Sequence, residues 1–257
     1  MSGKVTLIGA GPGDPGLFTL RGREALSEAD VVVYDALVGP GVLGMIPEDA
    51  RLIYVGKRAS HHAMRQEDIN RLLLEEARAG RSVARLKGGD PFLFGRGGEE
   101  LELLAENNIP FEVIPGVTSA FSVPALNGIP VTHRDFTASV HVVTGHRRAG
   151  EPCDIDFPAL VSTRGTLVFL MGLSALGDIA SGLISAGMDP ATPAAVLEKG
   201  ATARQRRISA PLCRLEQACL EANAATPAII IVGPVCALAE RFSWLEKKPL
   251  LDRKSVV

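Results

Sequence analysis

The sequence predicts an α/β protein built from two α/β domains, on three observations. Short, mostly apolar runs such as Val5-Thr6-Leu7-Ile8 and Val31-Val32-Val33-Tyr34 are of the kind buried on both faces of a parallel sheet. Helical spacing recurs between them, as at Ile69, Leu72, Leu73 and Ala77. At 257 residues the chain is long enough for two ordinary domains, each with its own core.

In order, the first half reads as strands at 5–8, 31–34, 52–55, 82–86 and 111–114. Between them lie a helix face marked by Glu24 and Glu28, a helix around 69–77 and a helix at 99–107. Such dense alternation argues an open sheet with parallel pairs. Near residue 128 the grammar changes. Gly128-Ile129-Pro130-Val131-Thr132 reads as a linker into a strand at 139–144. A polar, proline-containing loop over 146–164 precedes a strand at 166–170 and a helix at 174–186. Strands at 194–197 and 204–208, a helix at 214–223 and the apolar run 228–232 complete the set. Fewer parallel crossovers here predict a mixed sheet. The expected division is 1–130 and 131–245, two domains facing each other, with 246–257 as a tail.

Composition excludes several classes. The 46% hydrophobic and 22% charged content is that of a globular chain, and no apolar run approaches the roughly 20 residues of a membrane span. Because the chain enters its first strand at once, there is no room for a signal peptide, and the cytoplasm is the expected compartment. A net charge of −2 carries no nucleic-acid footprint. Cys153, Cys213, Cys219 and Cys236 form no Cys-x-x-Cys pair, so no metal site is expected. Charge is uneven in one place. His133, Arg134, His141, His146, Arg147 and Arg148 face a single acid, Asp135, making either a solvated face or a docking surface for an anionic molecule.

Residues 86–100, Leu-Lys-Gly-Gly-Asp-Pro-Phe-Leu-Phe-Gly-Arg-Gly-Gly-Glu-Glu, hold the most chemistry. A glycine-rich turn between a strand and a helix lets a ligand approach the backbone. Gly9-Ala10-Gly11-Pro12-Gly13-Asp14, with Asp35 about 20 residues on, invites a dinucleotide reading. It fails in detail: the sixth position is Asp14, which would repel a pyrophosphate, and Pro12 and Pro15 stop a helix from starting at the turn. No Gly-Lys-Ser/Thr is present for a P-loop. The amides, carbonyls and carboxylate of Gly88-Gly89-Asp90 suit an amino-acid zwitterion attached to a nucleoside better than a triphosphate.

These segments resemble the tetrapyrrole methyltransferase family. The likeness runs through Gly9 to Pro15, Asp30 to Val38, Val55 to Arg58 and Arg85 to Glu100. It continues through Val113 to Ser119, Gly128 to Asp135, Val143 to His146 and Met171-Gly172, covering roughly 3–245 in unbroken order. The more specific of these motifs are similar to the uroporphyrinogen-III C-methyltransferases. The resemblance implies a class III methyltransferase with S-adenosyl-L-methionine in a cleft between two domains, leaving S-adenosyl-L-homocysteine as product. It also implies methyl transfer to C2 and C7 of uroporphyrinogen III, through precorrin-1 to precorrin-2, for sirohaem, cobalamin or haem d1 synthesis. By the same resemblance the donor contacts are Pro12, Gly88, Gly89, Asp90, Leu93, Thr118, Ser119, Met171 and Gly200, and the assembly is a homodimer.

Asp35 is the proton acceptor and Lys57 the donor in this reading, with His146 as the alternative proton handler because imidazole titrates near neutrality. Arg96, a permanent cation and so a poor base, is an orienting clamp on substrate carboxylates, for which the family also proposes a role nearer the chemistry. Arg134 and His146 would pair with others of the substrate's eight carboxylates. Ala36, Leu126, Leu170 and Ala201 depart from the family pattern, which removes aromatic groups and one hydroxyl but no group assigned to chemistry. Two rivals stand beside this reading, a methyltransferase for a later corrin intermediate and a non-catalytic tetrapyrrole carrier. With no dehydrogenase domain fused to it, the chain is expected to act alone.

Overall fold

The structure is a computed structural model that describes residues 3–56, 64–145 and 155–245. Lys57, His146, Arg147, Arg148 and Cys153 lie outside the described residues, as does the 246–257 tail. The chain divides into two units at Ser119/Ala120, N-terminal to the 130/131 boundary read from the sequence.

In the first unit, β1 (Lys4–Gly9), β2 (Val31–Tyr34), β3 (Arg51–Tyr54), β4 (Ser82–Lys87) and β5 (Phe111–Ile114) form a sheet in the order β3-β2-β4-β1-β5. Every neighbouring pair is parallel. The apolar runs make the inner strands because both faces are covered, whereas the edge strands β3 and β5 stay partly exposed. On one face Ile8, Ala10, Val32, Ala84 and Leu86 pack with Leu26 of helix α1 (Leu20–Ser27) and Val42 of the short helix α2 (Pro40–Leu43). On the other, Val5, Leu7, Val31, Val33 and Val83 pack with Ile69, Leu73 and Ala77 of α3 (Gln66–Arg78) and Leu104 of α4 (Gly97–Glu106).

The two faces follow from the strand order. Connections β1 to β2 and β2 to β3 run toward the β3 edge, whereas β3 to β4 and β4 to β5 run toward the β5 edge. Right-handed crossovers that travel in opposite directions must cover opposite faces. Connections leave β1 and β2 on one face and β3 and β4 on the other, so the adjacent strands β1 and β4 send their chains to opposite faces beyond their carboxyl ends.

The second unit holds a mixed sheet, as the sequence predicts. Its strands are β6 (Val140–Thr144), β7 (Thr166–Leu170), β8 (Pro193–Glu198), β9 (Arg206–Pro211) and β10 (Ala228–Val232), in the order β6-β7-β10-β8-β9. Only β6 and β7 pair in parallel. Phe169, Val196, Ile230 and Val232 pack with Ile179 and Leu183 of α7 (Leu176–Ser185) and Leu212 and Leu215 of α8 (Leu212–Glu221).

Several elements differ from the sequence reading, the short helices α2 and α9 among them. Helix α5 (Ser119–Leu126) goes unseen there because Pro124 inside it reads as a breaker. Within the expected 146–164 loop, residues Phe157–Ser162 form α6, whose N-terminus is capped by Asp156 Oδ1 accepting from the Ala159 amide at 3.0 Å. Strand β9 begins two residues later than expected, because Arg204 and Gln205 belong to the turn. The Gln205 amide donates to the Thr202 carbonyl and its side-chain oxygen accepts from the Ala201 amide at 3.1 Å. A further short helix, α9 (Ala239–Phe242), ends the described structure. Among the described residues no helix is long and apolar enough to cross a membrane.

Candidate active site

Beyond the carboxyl ends of β1 and β4 the two outgoing loops meet through backbone. Gly11 and Gly89 form an isolated antiparallel bridge, with N···O distances of 3.2 and 2.7 Å in its two directions. Gly89 sits at φ +69°, a left-handed conformation that side chains resist, and a Cβ there would point into open space. The third loop, after β5, presses in from the other side. A Cβ on Gly116 would lie 2.1 Å from the Gly89 carbonyl oxygen and 2.7 Å from Gly9 Cα. Three glycine loops thus close on one another with their backbone facing outward.

Asp14 accounts for the failed dinucleotide pattern. Its Oδ1 accepts from the Gly16 amide at 2.8 Å and caps a 3-10 turn at Pro15–Leu17. Helix α1 starts later, at Leu20, capped by Thr19. No helix N-terminus therefore meets the first glycine turn, and a pyrophosphate would find Asp14 in its place.

Asp90 ties the loops together. One carboxylate oxygen accepts from the Phe92 amide at 2.9 Å, the other from the Gly116 amide at 3.0 Å. Sequence reading assigned this carboxylate to a ligand ammonium; here it also staples the loop after β4 to the loop after β5. Each oxygen keeps a further lone pair for a ligand. Leu93, Pro12 and Thr118 belong to these same three loops and Ser119 begins α5, all partly exposed. In the second unit, Met171 follows β7 at φ +56° with half its surface exposed, and Gly200 follows β8 against Val123.

Arg96 occupies the N-cap of α4 at φ +57°. Its guanidinium fork is turned onto Glu99, Nε to Oε1 at 2.8 Å and Nη2 to Oε2 at 2.5 Å, and this hydrogen-bonded acid holds its pKa above the ordinary arginine value. The side chain is exposed, so an incoming carboxylate would have to compete with Glu99 for the fork. Arg134 is exposed on the loop that joins α5 to β6, where the His133 ring packs against Phe136 at 4.9 Å. Of the basic segment, only the part up to residue 145 is described.

Asp35 stands at the carboxyl end of β2 in a tight turn, its Oδ1 accepting from the Leu37 amide at 3.0 Å. Leu37 in turn lies against Gly88, where an added Cβ would come within 2.5 Å of the Leu37 Cβ. Behind Asp35 is a buried charge network that sequence reading passed over. Arg85, 3% exposed, donates Nη2 to Asp35 Oδ2 at 3.4 Å and Nε to Glu100 Oε1 at 3.1 Å. Lys87 Nζ reaches the same Glu100 oxygen at 2.9 Å, and Gln66 Nε2 approaches it at 3.2 Å. Burial is the main force pushing the Lys87 pKa down, aided by the neighbouring Arg85 cation and opposed by Glu100 and Asp35. The signal was available: two cations at i and i+2 on an otherwise apolar strand share one face and demand an acid from the covering helix.

A parallel sheet with its switch point lined by glycine backbone, joined in one chain to a second unit with a mixed sheet, defines the class. Residues 4–216 match the family described as Tetrapyrrole (Corrin/Porphyrin) Methylases, and the chain belongs to that family. It is similar to the Uroporphyrin-III C-methyl transferase of Thermus thermophilus, whose crystal structure is described as complexed with S-adenyl homocysteine. The identity is 41% and the TM-score 0.78, covering 92% of this chain and 100% of that one. A cobalt precorrin-4 methyltransferase is 27% identical with a TM-score of 0.81, covering 91% of this chain and 95% of that one. The Porphyrin biosynthesis protein HemD of Ruminiclostridium josui is 56% identical over 255 residues, 99% of this chain and 51% of that protein. The Siroheme synthase of Edwardsiella ictaluri is 50% identical over 242 residues, 94% of this chain and 52% of that protein. The chain spans about half the length of the curated relatives it matches.

Proposed function

We propose that this chain uses S-adenosylmethionine to methylate uroporphyrinogen III at C2 and C7, giving precorrin-2 by way of precorrin-1. One observation carries the reading: the glycine junction at the switch point occurs in a chain 41% identical to the Thermus transferase over that protein's whole length. The precorrin-4 enzyme shares the fold at lower identity, which favours uroporphyrinogen III over a later corrin intermediate. Relatives named siroheme synthase favour sirohaem as the end product.

The residues fit the donor. Open space over Gly89 leaves room that any side chain would fill, and the adjoining backbone offers both amides and carbonyls. Pro12, Gly88, Gly89, Asp90, Leu93, Thr118 and Ser119 hold it, and Met171 and Gly200 keep the donor-binding role that the resemblance gives them. When bound, S-adenosylmethionine supplies an electrophilic methyl group. The chain's own work is alignment, which by itself lowers the barrier of such a displacement. Asp35, partly exposed at the end of β2, accepts the proton lost from the macrocycle. Lys57 as proton donor and His146 as a second proton handler complete the proposed set. Arg96 and Arg134 pair with substrate carboxylates. The reading includes a cytoplasmic compartment and a homodimer, the latter resting on the resemblance alone.

Calorimetry tests the donor site and separates this enzyme from a tetrapyrrole carrier: micromolar binding of S-adenosylmethionine is expected, and no binding would sink the proposal. Arg96→Lys is expected to keep that binding yet lose about 10- to 100-fold in turnover, because an ammonium cannot reproduce the bidentate fork. Wild-type turnover in this variant would show that the fork does not meet the substrate.

A further inference from the structure

We propose that Arg85 is a positioning residue for Asp35, fixing the carboxylate that faces the reaction through a buried link to Glu100. This inference rests on Asp35 being the proton acceptor. The guanidinium is spent almost entirely on holding itself still: Nη1 donates to the Val33 carbonyl at 3.4 Å and to the Leu86 carbonyl at 3.1 Å, and Nε to Glu100. Only Nη2 reaches outward, to Asp35 Oδ2. Asp35 therefore has each oxygen held, one by Arg85 and one by the Leu37 amide.

Neutralising Glu100 does not explain Arg85. Lys87 already pairs with the same Glu100 oxygen at 2.9 Å, and both cations are buried on β4. Buried ion pairs return little net stability for the desolvation they require. What Arg85 adds is reach: its side chain is 4% exposed, that of Asp35 26%, so the link runs from the interior to a carboxylate that a substrate can touch. Glu100 anchors the assembly from the first turn of α4, with its other oxygen unpaired among the described residues.

The test compares Arg85→Gln with the wild type in two independent ways. Without any substrate, amide exchange at Leu37 is expected to quicken by about 10-fold or more while amides in the middle of β1 stay protected. With substrate, kcat is expected to fall about 10- to 100-fold with donor affinity unchanged, and the same change on an Asp35→Asn background to cause no further loss. Unchanged exchange at Leu37, or an equal loss of kcat on both backgrounds, overturns the proposal. If Arg85→Gln does not fold, Arg85→Lys, which keeps a cation beside Glu100 but loses the fork, enters the same comparisons. If the wild type itself transfers no methyl group, the proposed function falls, and the exchange measurement still decides whether Arg85 holds Asp35.

Discussion

Gly116→Ala is expected to abolish donor binding and destabilise the first unit by about 3 kcal/mol, at the upper end of what overpacking costs. The added methyl would stand 2.1 Å from the Gly89 carbonyl oxygen and 2.7 Å from Gly9 Cα. Both neighbours are backbone, so no side chain can swing aside. Relief requires the loop after β5 to leave the other two, stretching the Gly116 amide from Asp90 and opening the Gly11–Gly89 bridge. Urea unfolding and calorimetry with S-adenosylmethionine measure the two effects. Gly98→Ala is the control: a Cβ there meets nothing within 4 Å, and alanine suits the first turn of α4. Gly98→Ala is expected to bind donor normally. Normal binding by Gly116→Ala would mean that the junction is not the donor site.

The second large effect falls on Asp90. Its carboxylate accepts from the Phe92 and Gly116 amides, and hydrogen bonds to a charged group contribute about 1.5–3 kcal/mol each. Removing it in Asp90→Ala frees both loops and removes the acceptor for a ligand ammonium. Donor affinity is expected to fall about 100-fold or more, the equivalent of two such bonds partly relaxed. Asp90→Asn retains one oxygen but turns an NH2 group toward an amide N–H, so about a 10-fold loss is expected. Calorimetry on both variants gives the order, and an Asp90→Ala protein that binds like the wild type would contradict the assignment.

Much of this was legible in the sequence, and the exceptions have physical causes. Strands β2, β7 and β10 stand where their apolar runs stand, since a strand buried on both faces can be little else at that length. Helices α5 and α6 were hidden by prolines that read as punctuation; α6 carries its proline at the N-terminus, where it is tolerated, and α5 holds Pro124 inside. The glycine runs announced loops that meet through backbone, and Asp14 and Pro15 argued against a dinucleotide. What a linear reading missed was how the groups pair. Asp90, proposed as a ligand acceptor, is also a loop staple, and Arg96 is already paired with Glu99. The Arg85–Glu100–Lys87 network joins residues brought together only when β4 and α4 pack.

The reaction itself is the sharpest test. Under anaerobic conditions the protein is mixed with S-adenosylmethionine and uroporphyrinogen III, and the mass of the tetrapyrrole is followed. The account predicts a product heavier by two methyl groups, formed through a singly methylated intermediate. A tetrapyrrole of unchanged mass, with the donor bound and intact, would contradict it.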